Sequence, residues 1–265
     1  HSLLEFRRVL FRSAASTLSA DGGEIALQGR LDTRSEAYGI ELRCDSFPLN
    51  RFLPADSLGL IDLALQAGGS GFDPLRAQTR GNIRLQVDRA EFRGRDFGGV
   101  ELNANLEGGQ LSGRLSDRDE ALRLLLLVSG TLTERKQEVR LTGNVFDFDL
   151  AELGISPQKI GGSFALEAGA SASDAGSYTA RIALDSIEVR TRHRTDRIRP
   201  TSLSLSSDTT ATRAKLASGD LSLAFVSPGP VDSLVPALTR SADILARQIR
   251  AQSVDMEALK PALPD

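Results

Sequence analysis

The stretch Val100-Glu101-Leu102-Asn103-Ala104-Asn105-Leu106-Glu107-Gly108-Gly109-Gln110-Leu111-Ser112-Gly113-Arg114-Leu115 decides the fold class. Apolar residues take every second position on either side of Glu107-Gly108-Gly109. Period two puts them on one face of a pleated strand and the polar residues on the other. The two glycines between the runs suit a tight reversal. A connection this short joins antiparallel strands, because parallel crossovers need a dozen residues or more.

The same alternation extends in both directions. Upstream it reads Ile25-x-Leu27, Ile40-x-Leu42-x-Cys44, Leu63-x-Leu65-x-Ala67 and Ile83-x-Leu85-x-Val87. Downstream it reads Val139-x-Leu141, Phe164-x-Leu166-x-Ala168, Ile182-x-Leu184, Ile187-x-Val189, Leu203-x-Leu205 and Leu221-x-Leu223-x-Phe225. Asp21-Gly22-Gly23, Gly68-Gly69-Ser70-Gly71, Gly98-Gly99, Gly161-Gly162 and Ser218-Gly219-Asp220 read as the turns between them. Leu49 to Pro54 and Leu150 to Ile155 read as single helical turns. Residues 14–226 are therefore expected to be an all-β antiparallel meander of about 13 to 15 strands. Residues 227–265 change period. Leu234, Leu238, Ala242, Leu245 and Ile249 share one face of a helix, with Asp232 or Ser233 at its start.

Composition removes several functions. The 265 residues carry a net charge of −3, which argues against a general nucleic-acid binder. One cysteine excludes an internal disulfide and a multi-cysteine zinc site. Two histidines and no tryptophan leave little for histidine catalysis or carbohydrate stacking. No apolar run approaches the 18 residues of a membrane span. Residues 5–13, Glu5-Phe6-Arg7-Arg8-Val9-Leu10-Phe11-Arg12-Ser13, resemble a translated sequencing-library adapter, so residues 1–13 are set aside as non-native. The rival reading is a basic helix on a membrane surface. Without that segment the net charge is −5 and the chain reads as an internal piece of something longer.

An internal repeat relates residues 25–71 to 126–172 at an offset of 101. Ten of its 47 positions are identical, among them Leu31/Leu132, Phe47/Phe148 and Leu65/Leu166; composition alone gives about 3–4. A long sheet with one apolar face must bury that face on something. With no long helix before residue 231, the cover is a second sheet, self-closure or a ligand. An acyl tail laid in an apolar trough gains on the order of 10 kcal/mol at about 0.8 kcal/mol per methylene.

The phrase Leu27-Gln28-Gly29-Arg30-Leu31 has relatives in Leu111-Ser112-Gly113-Arg114-Leu115 and Val128-Ser129-Gly130-Thr131-Leu132. Together with Phe47-Pro48-Leu49-Asn50-Arg51-Phe52-Leu53 and Phe148-Asp149-Leu150-Ala151-Glu152-Leu153, it resembles the AsmA-like TamB translocation-and-assembly-module proteins. The resemblance implies a Gram-negative envelope protein in the periplasm, held to the inner membrane by an anchor that this piece lacks. It implies an elongated, taco-like β-groove carrying phospholipid acyl chains toward the outer membrane. It also implies a part in protein secretion or outer-membrane protein assembly with a barrel partner.

Other constellations read as structure. Arg190, Arg192, His193, Arg194, Arg197 and Arg199 form a solvated loop between strands, or else a contact at the groove rim for lipid phosphate or an acidic partner. Ser116-Asp117-Arg118-Asp119-Glu120 reads as a polar hairpin tip, Asp147 and Asp149 as neighbours on one strand face, and Cys44 as an apolar lining residue. No catalytic, cofactor or metal residues are assigned, and an enzyme is not expected. The groove-lining candidates are Leu42, Leu63, Leu65, Leu85, Leu102, Leu141, Phe164, Leu166, Leu184, Leu203, Leu205 and Leu223. The competing expectation is a structural β-repeat module with a closed core and no ligand. A parallel β-helix enzyme ranks behind both, since coils of about 20–25 residues are not evident.

Overall fold

The computed structural model describes residues 12–52, 58–92, 94–173 and 176–229. The expected C-terminal helix lies outside the described residues, as do residues 1–11. Arg12 and Ser13, the last of the segment set aside, belong to the first strand.

Among the described residues, alternation and turns produce sixteen strands. They are β1 (Arg12–Ala20), β2 (Gly23–Asp32), β3 (Ala37–Pro48), β4 (Leu58–Ser70), β5 (Arg80–Phe92), β6 (Arg95–Phe97), β7 (Val100–Glu107) and β8 (Gln110–Arg118). There follow β9 (Leu122–Leu132), β10 (Lys136–Asp149), β11 (Gly161–Ser173), β12 (Tyr178–Arg190), β13 (Thr195–Ile198), β14 (Thr201–Ser207), β15 (Ala211–Ser218) and β16 (Leu221–Pro228). All belong to one antiparallel sheet in sequence order, with the short β6 and β13 folded back on β5 and β12. The remaining fourteen strands, at about 4.8 Å each, separate the two outermost by about 62 Å. Among the described residues the sheet is not closed, and β1 and β16 are its outer strands.

The pairing registers divide the side chains into an apolar and a polar face. Leu27 pairs with Leu42, Leu42 with Leu65, Leu65 with Leu85, Leu85 with Leu102, Leu102 with Leu115 and Leu115 with Leu126. Seven neighbouring strands thus contribute one unbroken row of leucines. Directly paired residues share a face, so such a row is a physical stripe across the sheet. The residues between them, such as Glu41, Gln66, Arg84 and Asn103, occupy the other face.

Irregularities gather along one long edge. β3 bulges between Cys44 and Phe47, and β10 between Val145 and Phe148. These bulges are 101 residues apart, and so are their partners: Cys44 with Leu63 and Phe47 with Ile61, against Val145 with Phe164 and Phe148 with Gly162. The 101-residue offset therefore carries into backbone geometry in these strands. It slips by two residues in the preceding pair, where Leu27 meets Leu42 but Val128 meets Leu141. A slip of two preserves the faces, whereas a slip of one would invert them.

The same edge holds the little core there is. Cys44, Phe47, Ala121 and Val145 are the buried apolar residues among those described. Phe47 stacks on Phe52 at 5.0 Å, and Phe148 meets Phe164 edge-on at 6.1 Å. Leu49–Arg51 forms the expected helical turn, of 3-10 type. At Leu150 to Ile155 the chain closes a hydrogen-bonded turn, Leu153 N–H donating to the Asp149 carbonyl at 2.9 Å.

Three expectations are corrected here. Gly68, Gly69 and Ser70 lie inside β4, paired to β3, and the reversal begins only at Gly71, whose φ is +83°. Gly161 and Gly162 begin β11 instead of forming a turn; a Cβ on Gly162 would lie 2.1 Å from the Glu188 carbonyl oxygen, so close approach of β12 explains the glycine. The basic stretch after Val189 is a hairpin, β12–β13, turning at Thr191–Arg194, with the Thr191 N–H donating to the Arg194 carbonyl at 2.9 Å.

Candidate functional site

All twelve groove-lining candidates lie on the apolar face. Leu42, Leu65, Leu85, Leu102, Leu166 and Leu184 belong to the leucine row, which Gly143 interrupts between Leu126 and Leu166. Leu141, Leu203 and Leu223 stand in the next row, aligned through Ala168, Ile182 and Leu216. Leu63 and Phe164 are one row nearer the bulged edge, and Leu205 one row farther away. Sequence reasoning left out Leu27, Leu115 and Leu126, which complete the central row. Two of them sit in the recurrent Leu-x-Gly-x-Leu phrase, a signal that could have found them.

No described element covers this face. Most of its leucines are half-buried by their own neighbours, and several stand open: Leu27 and Leu203 are 46% exposed and Leu223 55%. Ordinary cores bury such residues almost completely. A closed core is therefore absent among the described residues, and a strip many strands long presents aliphatic side chains to whatever lies above it.

Cys44 sits on the apolar face at its inner margin, paired with Ile25 and Leu63. Burial pushes its thiol up, and the nearby Asp62 carboxylate adds to the shift. A thiolate is the reactive species, so a disulfide-exchange reagent at pH 7.5 is expected to leave Cys44 unmodified until denaturant is added. Fast labelling of the native chain would contradict this.

Asp117 departs from the expected hairpin tip. Ser116 and Asp117 are still in β8 and buried; only Asp119 and Glu120 form the turn. Asp117 pairs with Leu124 on the apolar face, and its carboxylate accepts the Asp119 N–H at 2.9 Å. Burial raises its pKa. A carboxyl with a raised folded pKa costs stability when ionised, and the cost vanishes below the ordinary carboxylate pKa of about 3.9. Asp117→Asn should therefore raise the melting temperature at pH 7 and lose that gain near pH 3.5. An unchanged or lower melting temperature at pH 7 would count against it.

Several of the remaining charged residues pair locally. Asp147 pairs with Arg190 across β11, while Asp149 accepts the N–H groups of Ala151 and Glu152 at 2.9 and 3.2 Å. Arg194 meets Asp196 at 2.7 Å and Arg199 meets Asp220 at 2.6 Å. Among the described residues no cluster of three His, Cys, Asp or Glu side chains is placed to hold a metal ion, and no helix is long and apolar enough to cross a membrane.

The best-formed crevices open on the polar face, between its long side chains. One of about 700 Å³ spans β10 to β16 and is bordered by Arg140, Glu167, Arg181, Arg213 and Lys215. Another of about 490 Å³ lies near Arg30, Glu41 and Gln66. Comparison of the chain with protein-family models, with curated proteins and with solved structures finds no match.

Proposed function

We propose that this protein holds phospholipid acyl chains along its apolar face and acts in lipid transfer across the Gram-negative periplasm. The observation that carries the reading is the leucine row, continuous over seven strands and left without a cover among the described residues. Exposed aliphatic area of this extent costs a soluble protein free energy unless a ligand or partner removes it from water. A flexible acyl chain suits a strip made mostly of leucine, isoleucine and alanine.

The sheet is curled about that face into an elongated groove. Bulges along one edge bend strands and increase their twist, and glycine kinks add curvature. Crowding supports the direction of the curl. On the apolar face a Cβ at Gly69, Gly130 or Gly143 would lie 2.0 to 2.4 Å from a backbone carbonyl oxygen, though one at Gly29, beside the outer strand, would meet nothing within 4 Å; on the polar face one at Gly68 or Gly169 would find its nearest atom at 3.5 or 3.7 Å. A concave face crowds its side chains and a convex one spreads them, which is also why crevices open on the polar side.

The sequence phrases that resemble the TamB proteins support a position of such a groove between inner and outer membranes, with an anchor in the first, a barrel partner in the second and roles in secretion or outer-membrane assembly. The reading involves no enzymatic step and no cofactor. It is tested by mass spectrometry of lipid extracted from the full chain after purification from a bacterial periplasm. Phospholipid in stoichiometric amount supports it. A lipid-free, monodisperse protein returns the account to a structural β-repeat module.

A further inference from the structure

Every second strand at the β10–β15 end carries a cation in one row of the polar face. Arg140 pairs with Gly169, Gly169 with Arg181, Arg181 with Ser204 and Ser204 with Lys215. Strand spacing puts neighbouring cations about 10 Å apart and the outer two about 20 Å apart. The positions between them are glycine and serine, so the row has a low floor. The same residues border the 700 Å³ crevice, where Arg213 is added beside Lys215.

The three cations of this row stand without a carboxylate partner among the described residues, unlike those at the bulged edge and the β12–β13 hairpin. Arg80, Arg89, Arg95, Arg190, Arg194 and Arg199 each have a carboxylate within ion-pair distance. Arg140, Arg181 and Lys215 form no ion pair with a described residue. Two carboxylates border the crevice: Glu138, which pairs with Lys136 at 2.6 Å and also feels the charge of Arg140, and Glu167. Four cations against these two leave the crevice positive. Arg213 faces Asp208 at 3.9 Å. In a chain of net charge −3, this is a local positive strip along a crevice between side chains, which attracts an anion.

We infer that the polar-face crevice across β10–β15 is a binding site for an extended oligoanion bearing phosphate groups, engaged by Arg140, Arg181 and Lys215 in register. Guanidinium forks take phosphate oxygens bidentately, and Ser204 and Ser206 supply hydroxyl donors along the same wall. The ligand runs across the strands, because the cations do. This site lies on the face opposite the leucine row, and the inference does not rest on acyl binding there.

Calorimetric titration of the full chain with linear hexaphosphate and with orthophosphate tests it, alongside sedimentation with phosphatidylglycerol vesicles. Hexaphosphate is expected to bind in a salt-sensitive manner and far more tightly than orthophosphate. Arg181→Gln should weaken it about tenfold, the loss of one charge-assisted contact. Gly169→Val should weaken it comparably by filling the floor, and the open space at that Cβ lets the fold remain intact by circular dichroism. The basic residues at 7 and 8 give a background that both variants share. Vesicle binding lost in both variants, without hexaphosphate binding, would assign the phosphates to lipid headgroups. Binding insensitive to both substitutions, no binding of either probe, or orthophosphate binding as tightly as hexaphosphate would overturn the inference.

Discussion

Leu65→Arg and Leu166→Arg are expected to leave the chain folded and to strip it of bound lipid. Both leucines lie in the central row, half-buried, on a face that no described element covers. An arginine there can run its methylene stem along neighbouring leucines and lift its guanidinium into water, which limits the cost to about 1–2 kcal/mol. Acyl binding suffers far more. The charge must be desolvated wherever the chain passes over it, and an unpaired charge in an apolar contact costs several kcal/mol. The check is twofold: circular dichroism melting of each variant, and phospholipid content by mass spectrometry. In a closed core the same substitutions would bury an unpaired charge and unfold the domain, so cooperative loss of structure in both variants would defeat the open-face account.

Phe47→Ala is expected to do the reverse, lowering stability sharply. Phe47 is 3% exposed, sits at the β3 bulge and stacks on Phe52. Removing a fully buried phenyl ring costs about 3–5 kcal/mol through lost burial and the cavity left behind. In a chain of this size that corresponds to a fall in melting temperature of about 10 °C. Leu27→Ala, at a residue 46% exposed, should lower it by no more than a third as much. Thermal melts of the two variants measure the contrast. Equal losses would mean that the leucine row is packed like a core, contrary to its exposure.

The two sets of variants separate two jobs that one sheet performs. Stability is concentrated at the bulged edge, where the aromatic pairs and the four buried apolar residues lie. The broad face away from that edge contributes little packing of its own. That division explains how an extended single sheet can hold together while keeping its apolar face available.

Most of this architecture could be read from alternation alone. Where polar and apolar residues strictly alternate, as from Val100 to Leu106, both the strand and its inward face follow directly. The run Leu124 to Val128 shows the limit. Five apolar residues in succession fix a strand but not a face, and pairing places Leu125 and Leu127 on the polar side, the latter 48% exposed. Glycines misled for a different reason. Gly68, Gly69, Gly161 and Gly162 have the composition of turns, yet they lie in strands, and at Gly69 and Gly162 a neighbouring backbone comes too close for a Cβ. Asp117 was hidden because a charged pentapeptide reads as solvated, and only tertiary packing buries its second residue. The cationic row left no mark in the sequence at all. Its members are 34 to 75 residues apart, and strand register alone brings them into line.

The central claim concerns which face of one sheet meets the acyl chain. Neighbouring residues test it within a single strand. A photo-crosslinking amino acid is placed in turn at Leu85, Leu102 and Leu166 on the apolar face, and at Gln86, Asn103 and Glu167 on the polar face. The full chain is irradiated in periplasm and phospholipid adducts are measured by mass spectrometry. The account predicts adducts at the three leucine positions and none at their immediate neighbours. Adducts on both faces alike, or on neither, would contradict it.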